Sequence, residues 1–326
     1  MMNLHTDKEL FRDAVQATTD IMNMREVFIE KDYWITVVLK AIFQSDMASQ
    51  TVFKGGTSLS KCYHLIDRFS EDIDLVVIRN SGENDNQLKK KIRSISKVAS
   101  NILPEIEVEG LTNKKGNIRK TVHQYNSLYD EYLIPVSKNV VVEASWLGDF
   151  EPYSEMQVSS FIYDMIVSKG HADLITKYNM EPFVIKVLSK YRTFCEKIMS
   201  LVRFSRSKDP ISDLKNKIRH VYDIYKMLND REIQIFFLSE NFEKMLVKVG
   251  NDDMISYKNN NSWITEHPST ALIFQKPQET WKQLSSEYKS RFKDLVFGDF
   301  PAEKDLINTL SKISSRLNEI KWDILS

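Results

Sequence analysis

Cysteine is nearly absent: Cys62 and Cys195 are the whole supply in 326 residues. Two thiols so far apart make neither a disulfide framework nor a cysteine-based zinc site, so two small buried residues in a reducing compartment are expected. Long apolar runs are absent too, and nothing approaches the roughly eighteen residues of a membrane span. The opening stretch MMNLHTDKELFRD is polar and charged and lacks the apolar region of a secretory leader. Net charge is missing as well, because 45 Lys and Arg balance 45 Asp and Glu. The molecule as a whole is therefore no generic polyanion binder, although local charge can still act. GxxxxGK[ST] and GxGxxG do not occur, and His64 and His123 show no metal-ligand spacing. These absences leave a soluble, cytoplasmic protein as the expectation.

What is present is an ordinary globular composition, 42% hydrophobic and 11% aromatic, in a chain long enough for two lobes. Residues 6–22 read as a helix capped near Thr6 or Asp7, and 26–44 carry apolar residues at helical spacing. TVFKGG reads as a strand ending at glycines, followed by a helix from Thr57 or Ser58. RFSEDIDLVVI then switches to period two, with Ser70, Asp72 and Asp74 on one face of a strand and Ile73 and Leu75 on the other. Residues 80–86 read as a polar loop and 87–103 as a helix. Strands are expected at IEVEG, around 117–125, and at KNVVVEASW. Beyond about residue 160 the pattern is mainly helical, with a polar and mobile loop at 251–270. The expected architecture is α+β: an N-terminal mixed-sheet lobe over residues 1–165 and a helical C-terminal lobe over 166–326.

Asp72 and Asp74 pose the chemical question. Two carboxylates side by side repel, and one takes up a proton unless a cation neutralises them. Hard oxygen ligands suit magnesium, held by one or two carboxylates plus substrate phosphates. A third carboxylate on a neighbouring strand would complete a metal site for in-line phosphoryl transfer. Glu143, alone among apolar neighbours in VVVEAS, is the first candidate, with Asp149 and Glu151 behind it. Solvent-facing aspartates on an edge strand are the competing reading. The upstream GGTS shifts the balance. Gly55 and Gly56 let backbone N–H groups approach an anion, Thr57 and Ser58 add hydroxyl donors, and a helix N-terminus favours negative charge. A glycine turn, a helix and a DxD strand within some twenty residues place a phosphate cradle beside a metal clamp.

KGGTSLSK followed by RFSEDIDL resembles the DNA polymerase β-like nucleotidyltransferases, and more specifically the AbiEii/AbiGii-type nucleotidyltransferase toxins. EKDYWITVVLKAI (30–42), YRTFCEKIMSL (191–201) and RHVYDIYKML (219–228) are similar to further segments of that family. The resemblance implies that Gly55, Gly56, Thr57 and Ser58 cradle a triphosphate. It also implies that Ser70, Asp72 and Asp74 form the catalytic strand, with the acids on Mg²⁺. Lys197 would contact phosphate, Asp223 would be the acid of the last motif, and Arg68 and Arg219 would be supporting charges. Lys190 and Tyr191 depart from many relatives. Read from the residues alone, Lys197 is a lysine on an amphipathic helix, Asp223 is one helical turn from Arg219, and His220 is a packed or hydrogen-bonded side chain. Between Lys186 and Lys226, eleven Lys and Arg face four Asp and Glu, a local excess suited to phosphates.

The activity implied is Mg²⁺-dependent transfer of NMP from an NTP, bound between the lobes, to an RNA 3′ end such as that of tRNA. The setting implied is the toxin of a type IV-like toxin–antitoxin or abortive-infection system, with a cognate antitoxin encoded alongside. Nucleotidylation of a protein side chain and a non-catalytic nucleotide-sensing module are the rival expectations.

Overall fold

The computed structural model describes residues 2–129, 136–257 and 260–324. Within these the chain divides into two compact units. The first comprises Met1–Cys62, Phe69–Trp146 and Tyr153–Val187, and the second Tyr63–Arg68, Leu147–Pro152 and Leu188–Ser326. The division therefore falls later than residue 165, and two short segments of the N-terminal half belong to the second unit.

The first unit is built on strands β1 (Thr51–Lys54), β2 (Asp72–Val77), β3 (Glu105–Ile106), β4 (Ile118–Gln124), β5 (Asn139–Ser145), β6 (Tyr153–Val158) and β7 (Phe183–Leu188). They form one sheet in the order β3-β4-β5-β2-β1-β7-β6. β2 runs antiparallel to β1 and parallel to β5, β4 runs antiparallel to β5, and β1 runs parallel to β7. The sheet is thus mixed and the fold α+β. β7 lies inside the stretch expected to be helical. FVIKVL is a six-residue apolar run, and such runs do not distinguish strand from buried helix by periodicity.

Around the sheet lie α1 (Lys8–Met22), α2 (Glu26–Phe43), α3 (Gly55–Lys61), α4 (Asp85–Ser100), α5 (Phe161–Ser168) and α6 (Ala172–Lys177). Asp7 caps α1 by accepting a hydrogen bond from the Leu10 amide at 3.2 Å, a polar side chain satisfying an otherwise orphaned donor. α2 is buried on nearly every side, yet it carries the consecutive charges Glu30, Lys31 and Asp32, each at most 3% exposed. Each is satisfied by a different element, as buried charge requires. Glu30 accepts from Ser127 Oγ and the Leu128 amide. Lys31 Nζ donates to Glu71 at 2.5 Å and to the Ser137 carbonyl at 2.7 Å. Asp32 accepts from Lys61 Nζ at 2.5 Å and from the Phe161 amide at 2.9 Å. The EKDYW stretch therefore fixes α2 to β2, α3 and α5.

The second unit holds α7 (Lys190–Ser205), α8 (Pro210–Asn216), α9 (Ile218–Leu228), α10 (Arg231–Leu238), α11 (Glu240–Ser256), α12 (Ser262–Thr265), α13 (Leu272–Gln275), α14 (Pro277–Glu287) and α15 (Glu303–Leu317). α7 is its centre, with Phe194, Cys195, Ile198, Leu201 and Val202 fully buried. Both cysteines are unpaired and buried. The polar stretch 251–270, expected as a loop, is largely ordered. α11 runs through Ser256 and α12 follows, and only 258 and 259 lie outside the described residues. Apolar anchors explain this, since Trp263 and Ile264 are buried among the polar residues. Among the described residues no helix is long and apolar enough to cross a membrane.

Candidate active site

The register of the sheet sets the first unit's site. Lys54 on β1 is paired with Asp74 on β2. Asp74 is paired with Glu143 on β5, and Glu143 with Lys120 on β4. Residues directly opposite one another project from the same face. Four charged side chains therefore make one row across the sheet, lysine–aspartate–glutamate–lysine. Asp72, two residues before Asp74, shares that face. Burial, then Glu143 and then Asp72 push the Asp74 carboxyl up to about 7, against the opposing pull of Lys54 and Lys120. Carboxylates crowded in this way favour a proton or a cation between them.

Ser70, expected on the strand, lies in the lead-in to it, because β2 begins at Asp72. Thr57 Oγ1 donates its one proton to the Asp72 carbonyl at 2.5 Å and can accept from Ser70 Oγ at 3.1 Å, and Ser58 Oγ donates to the Gly55 carbonyl at 2.9 Å. The two hydroxyls expected to face phosphate thus tie α3 to the start of β2 and to its own first turn. α3 starts at Gly55, two residues earlier than expected, and no side chain caps it at Lys54. What α3 offers a ligand is its first amides, which have no partner within the helix. Gly55 has φ +82°, and a β-carbon there would lie 2.1 Å from Asp74 Oδ2. Glycine is therefore needed for α3 to begin against the carboxylate.

These residues fit a divalent cation in one specific sense. Among the described residues no three His, Cys, Asp or Glu side chains form a ready metal cluster. Glu143 stands in register with Asp74, but its carboxylate pairs with Lys120 at 3.4 Å. Asp72 and Asp74 would supply two hard oxygen donors, the number magnesium takes from protein when phosphates complete its shell. Asp149 and Glu151, the other candidates for a third carboxylate, belong to the second unit, where Asp149 lies near Arg192 and Lys248.

Lys197, Asp223 and Arg68 come together in the second unit. Asp223 on α9 is fully buried. Its Oδ1 accepts from Arg68 Nε at 2.6 Å, and its Oδ2 from Arg68 Nη2 at 2.7 Å and from Lys197 Nζ at 2.6 Å. Burial alone would raise this carboxyl, but the charges and hydrogen bonds of Arg68 and Lys197 override it and hold it well below the ordinary carboxylate range. Two residues 155 positions apart in sequence thus make a two-pronged guanidinium–carboxylate pair. The competing expectation of a helical pair between Asp223 and Arg219 does not hold. Arg219 makes no ion pair among the described residues, and Asp223 is engaged by Arg68 and Lys197. His220 packs inward as expected, with Nδ1 buried and without a hydrogen-bond partner.

Five of the eleven cations over 186–226, Lys197 and four others, are held in ion pairs inside the second unit. Arg192 pairs with Glu196 and Asp252, Arg206 donates to the Glu266 and His267 carbonyls, Lys190 pairs with Asp230 and Glu232, and Lys226 pairs with Asp67. Sequence reasoning missed Lys54 and Lys120, which only strand register identifies. It also missed Lys31, whose charge reaches Asp72 as well as Glu71.

Residues 37–311 match the family of the nucleotidyl transferase AbiEii toxin of type IV toxin–antitoxin systems. Among solved structures the chain is similar to MenT4, a nucleotidyltransferase toxin from Mycobacterium tuberculosis H37Rv. That similarity is 16% in sequence, with a TM-score of 0.48 over 94% of this chain and 97% of the other, too slight to bear on function. No curated protein gives a match. With a family match over more than half of its length and a mixed-sheet fold, the chain belongs to the nucleotidyl transferase AbiEii toxin family of type IV toxin–antitoxin systems and is a nucleotidyltransferase.

Proposed function

We propose that this toxin transfers NMP from an NTP to the 3′ end of an RNA, tRNA being the first candidate, in a Mg²⁺-dependent reaction. It acts in the cytoplasm and is restrained by a cognate antitoxin. The observation that carries the reading is the charged row Lys54–Asp74–Glu143–Lys120 with Asp72 beside it. Asp72 and Asp74 would hold Mg²⁺, which when bound supplies charge neutralisation at the phosphates and activation of an acceptor hydroxyl.

The chain's own groups do the rest. Gly55 keeps the start of α3 open to phosphate oxygens, and the first amides of α3, including those of Gly56, Thr57 and Ser58, are the donors. The Thr57 and Ser70 hydroxyls hold α3 against the first residue of β2, so the amides and the aspartates keep a fixed relation. Lys54 and Lys120 flank the carboxylates and keep the row from accumulating negative charge. Asp223 accepts from Lys197 and is itself held by Arg68, which orients the Lys197 ammonium for phosphate. Arg219 remains a half-buried supporting charge. Glu143 adds negative potential beside Asp74 and holds Lys120.

The test incubates the protein with Mg²⁺, each α-labelled NTP in turn, total RNA and protein extract. Label in a tRNA-sized band is expected. Asp72→Ala or Asp74→Ala should reduce it on the order of 10³-fold, as removal of a group stabilising transition-state charge does, with unfolding temperature retained. Glu143→Gln should reduce it less. Full transfer by either aspartate variant refutes the assignment of these carboxylates. Label in a protein band moves the acceptor to a side chain, and NTP binding with no label anywhere makes the protein a sensing module.

A further inference from the structure

α4 reads DNQLKKKIRSISKVAS, with five basic residues and one acidic. Its apolar face (Leu88, Ile92, Ile95 and Ala99) is buried against β2, β4 and β5. Lys91 turns inward and is neutralised, with Nζ 2.6 Å from Glu83 and 2.8 Å from the Ile78 carbonyl. Lys89, Lys90, Arg93 and Lys97 are exposed. Among the described residues none of these four makes an ion pair, although the chain's charges sum to zero. Their spacing puts them on one stripe about 12 Å long, with the neutral donors Asn86 before its first lysine and Ser94 beside Arg93.

We propose that this stripe is a docking surface for the phosphate backbone of the acceptor RNA, a proposal that rests on the RNA-acceptor reading. Three features select the partner. The stripe contains no apolar or aromatic side chain, whereas protein–protein interfaces are built around such a core. The apolar face of α4 is already spent on the sheet, so the helix has nothing to insert into a lipid surface. Rows of Lys and Arg without apolar anchors are how proteins hold phosphates irrespective of base sequence. Arg119 donates to Ser96 Oγ on α4 at 2.6 Å, so Arg119 lies on the α4 side of the sheet and its neighbour Lys120, in the charged row, on the other. The stripe is thus on the sheet face opposite the carboxylates and would contribute affinity for the body of the RNA without touching the reacting end.

The experiment measures binding of unfractionated tRNA across a salt series by wild type and by the variant Lys89→Gln/Lys90→Gln/Arg93→Gln/Lys97→Gln, with unfolding temperature as the folding control. Loss of four phosphate contacts should shrink the slope of log affinity against log salt by about 3. KM for tRNA should rise at least roughly tenfold while kcat at saturating tRNA stays within about twofold. If the quadruple variant does not fold, each single variant should still shrink the slope by about 0.8. Equal slopes while tRNA takes label overturn the docking surface and leave the RNA-acceptor reading standing. Label in a protein band with no tRNA binding overturns both. Unchanged tRNA binding with lost antitoxin binding overturns the proposal in favour of an acidic protein partner.

Discussion

A β-carbon on Gly55 would stand 2.1 Å from Oδ2 of Asp74 and 2.9 Å from its Cγ. The first residue of α3 and the aspartate of the charged row thus occupy adjoining space with nothing to spare. Gly55→Ala should therefore do two kinds of damage: impose a side chain at φ +82° and push Asp74 off the row. Gly82 separates the two effects, because it has φ +83° with nothing within 4 Å of an added β-carbon. Gly82→Ala should cost about 1–2 kcal/mol, the backbone term alone. Gly55→Ala should exceed it by about 1–3 kcal/mol, as overpacking does, and lose most transfer activity. Urea unfolding of both variants checks this. Equal losses of stability would mean that Asp74 moves aside freely.

The Asp223 cluster gives a prediction about stability and acid. Asp223→Asn leaves Arg68 and Lys197 buried without their counter-charge, a loss expected to cost about 3–5 kcal/mol near neutral pH. The folded carboxyl lies below its unfolded value, so its stabilising contribution is complete above the unfolded value of about 3.9 and fades as pH falls towards the folded one. The stability gap between wild type and Asp223→Asn should therefore be constant from about pH 5 upward and narrow below about pH 4. Unfolding curves from acid to neutral pH read this directly. A gap independent of pH down to strong acid would show that the carboxylate charge is not what holds the cluster.

Much of this arrangement could be read before any coordinates. Period two put Asp72 and Asp74 on one face, the isolated acid in VVVEAS drew attention to Glu143, and the GGT turn marked where the chain meets the carboxylates. Each of those signals is local. Lys54 and Lys120 join the row only through pairing of β1 with β2 and β4 with β5, and register between distant strands has no local signature. Ser70 lies just outside the strand, which begins at Asp72, and its hydroxyl meets Thr57 there. Charge counting misjudged where basic residues stay accessible. Five of the eleven cations over 186–226 are tied up in ion pairs, whereas the cations of α4 face solvent because Leu88, Ile92 and Ile95 claim the other side of the helix.

His220 sits beside that same cluster and should respond to acid at a different pH. Burial first, then Lys197 and Lys217, hold its imidazole well below the ordinary histidine value, and Asp223 only partly offsets them. Nδ1 has no hydrogen-bond partner, so the folded protein gains nothing by protonating it. In the unfolded chain the same ring titrates near 6.5. Between the two values the unfolded state binds the extra proton, so stability rises with pH through that window and levels off above about 7. His5 and His123 are also lowered by burial, so His220→Gln should remove only the share of that slope that belongs to its own ring. The dependence of unfolding free energy on pH between about 5 and 7 should become shallower than in wild type, whatever the substitution does to stability at neutral pH. The acid limb below about pH 4, to which Asp223 contributes, should remain. A His220→Gln profile parallel to wild type from pH 5 to 7 would mean that the ring gains a partner and charges in the folded state, and that its place beside Lys197 is electrostatic as well as steric.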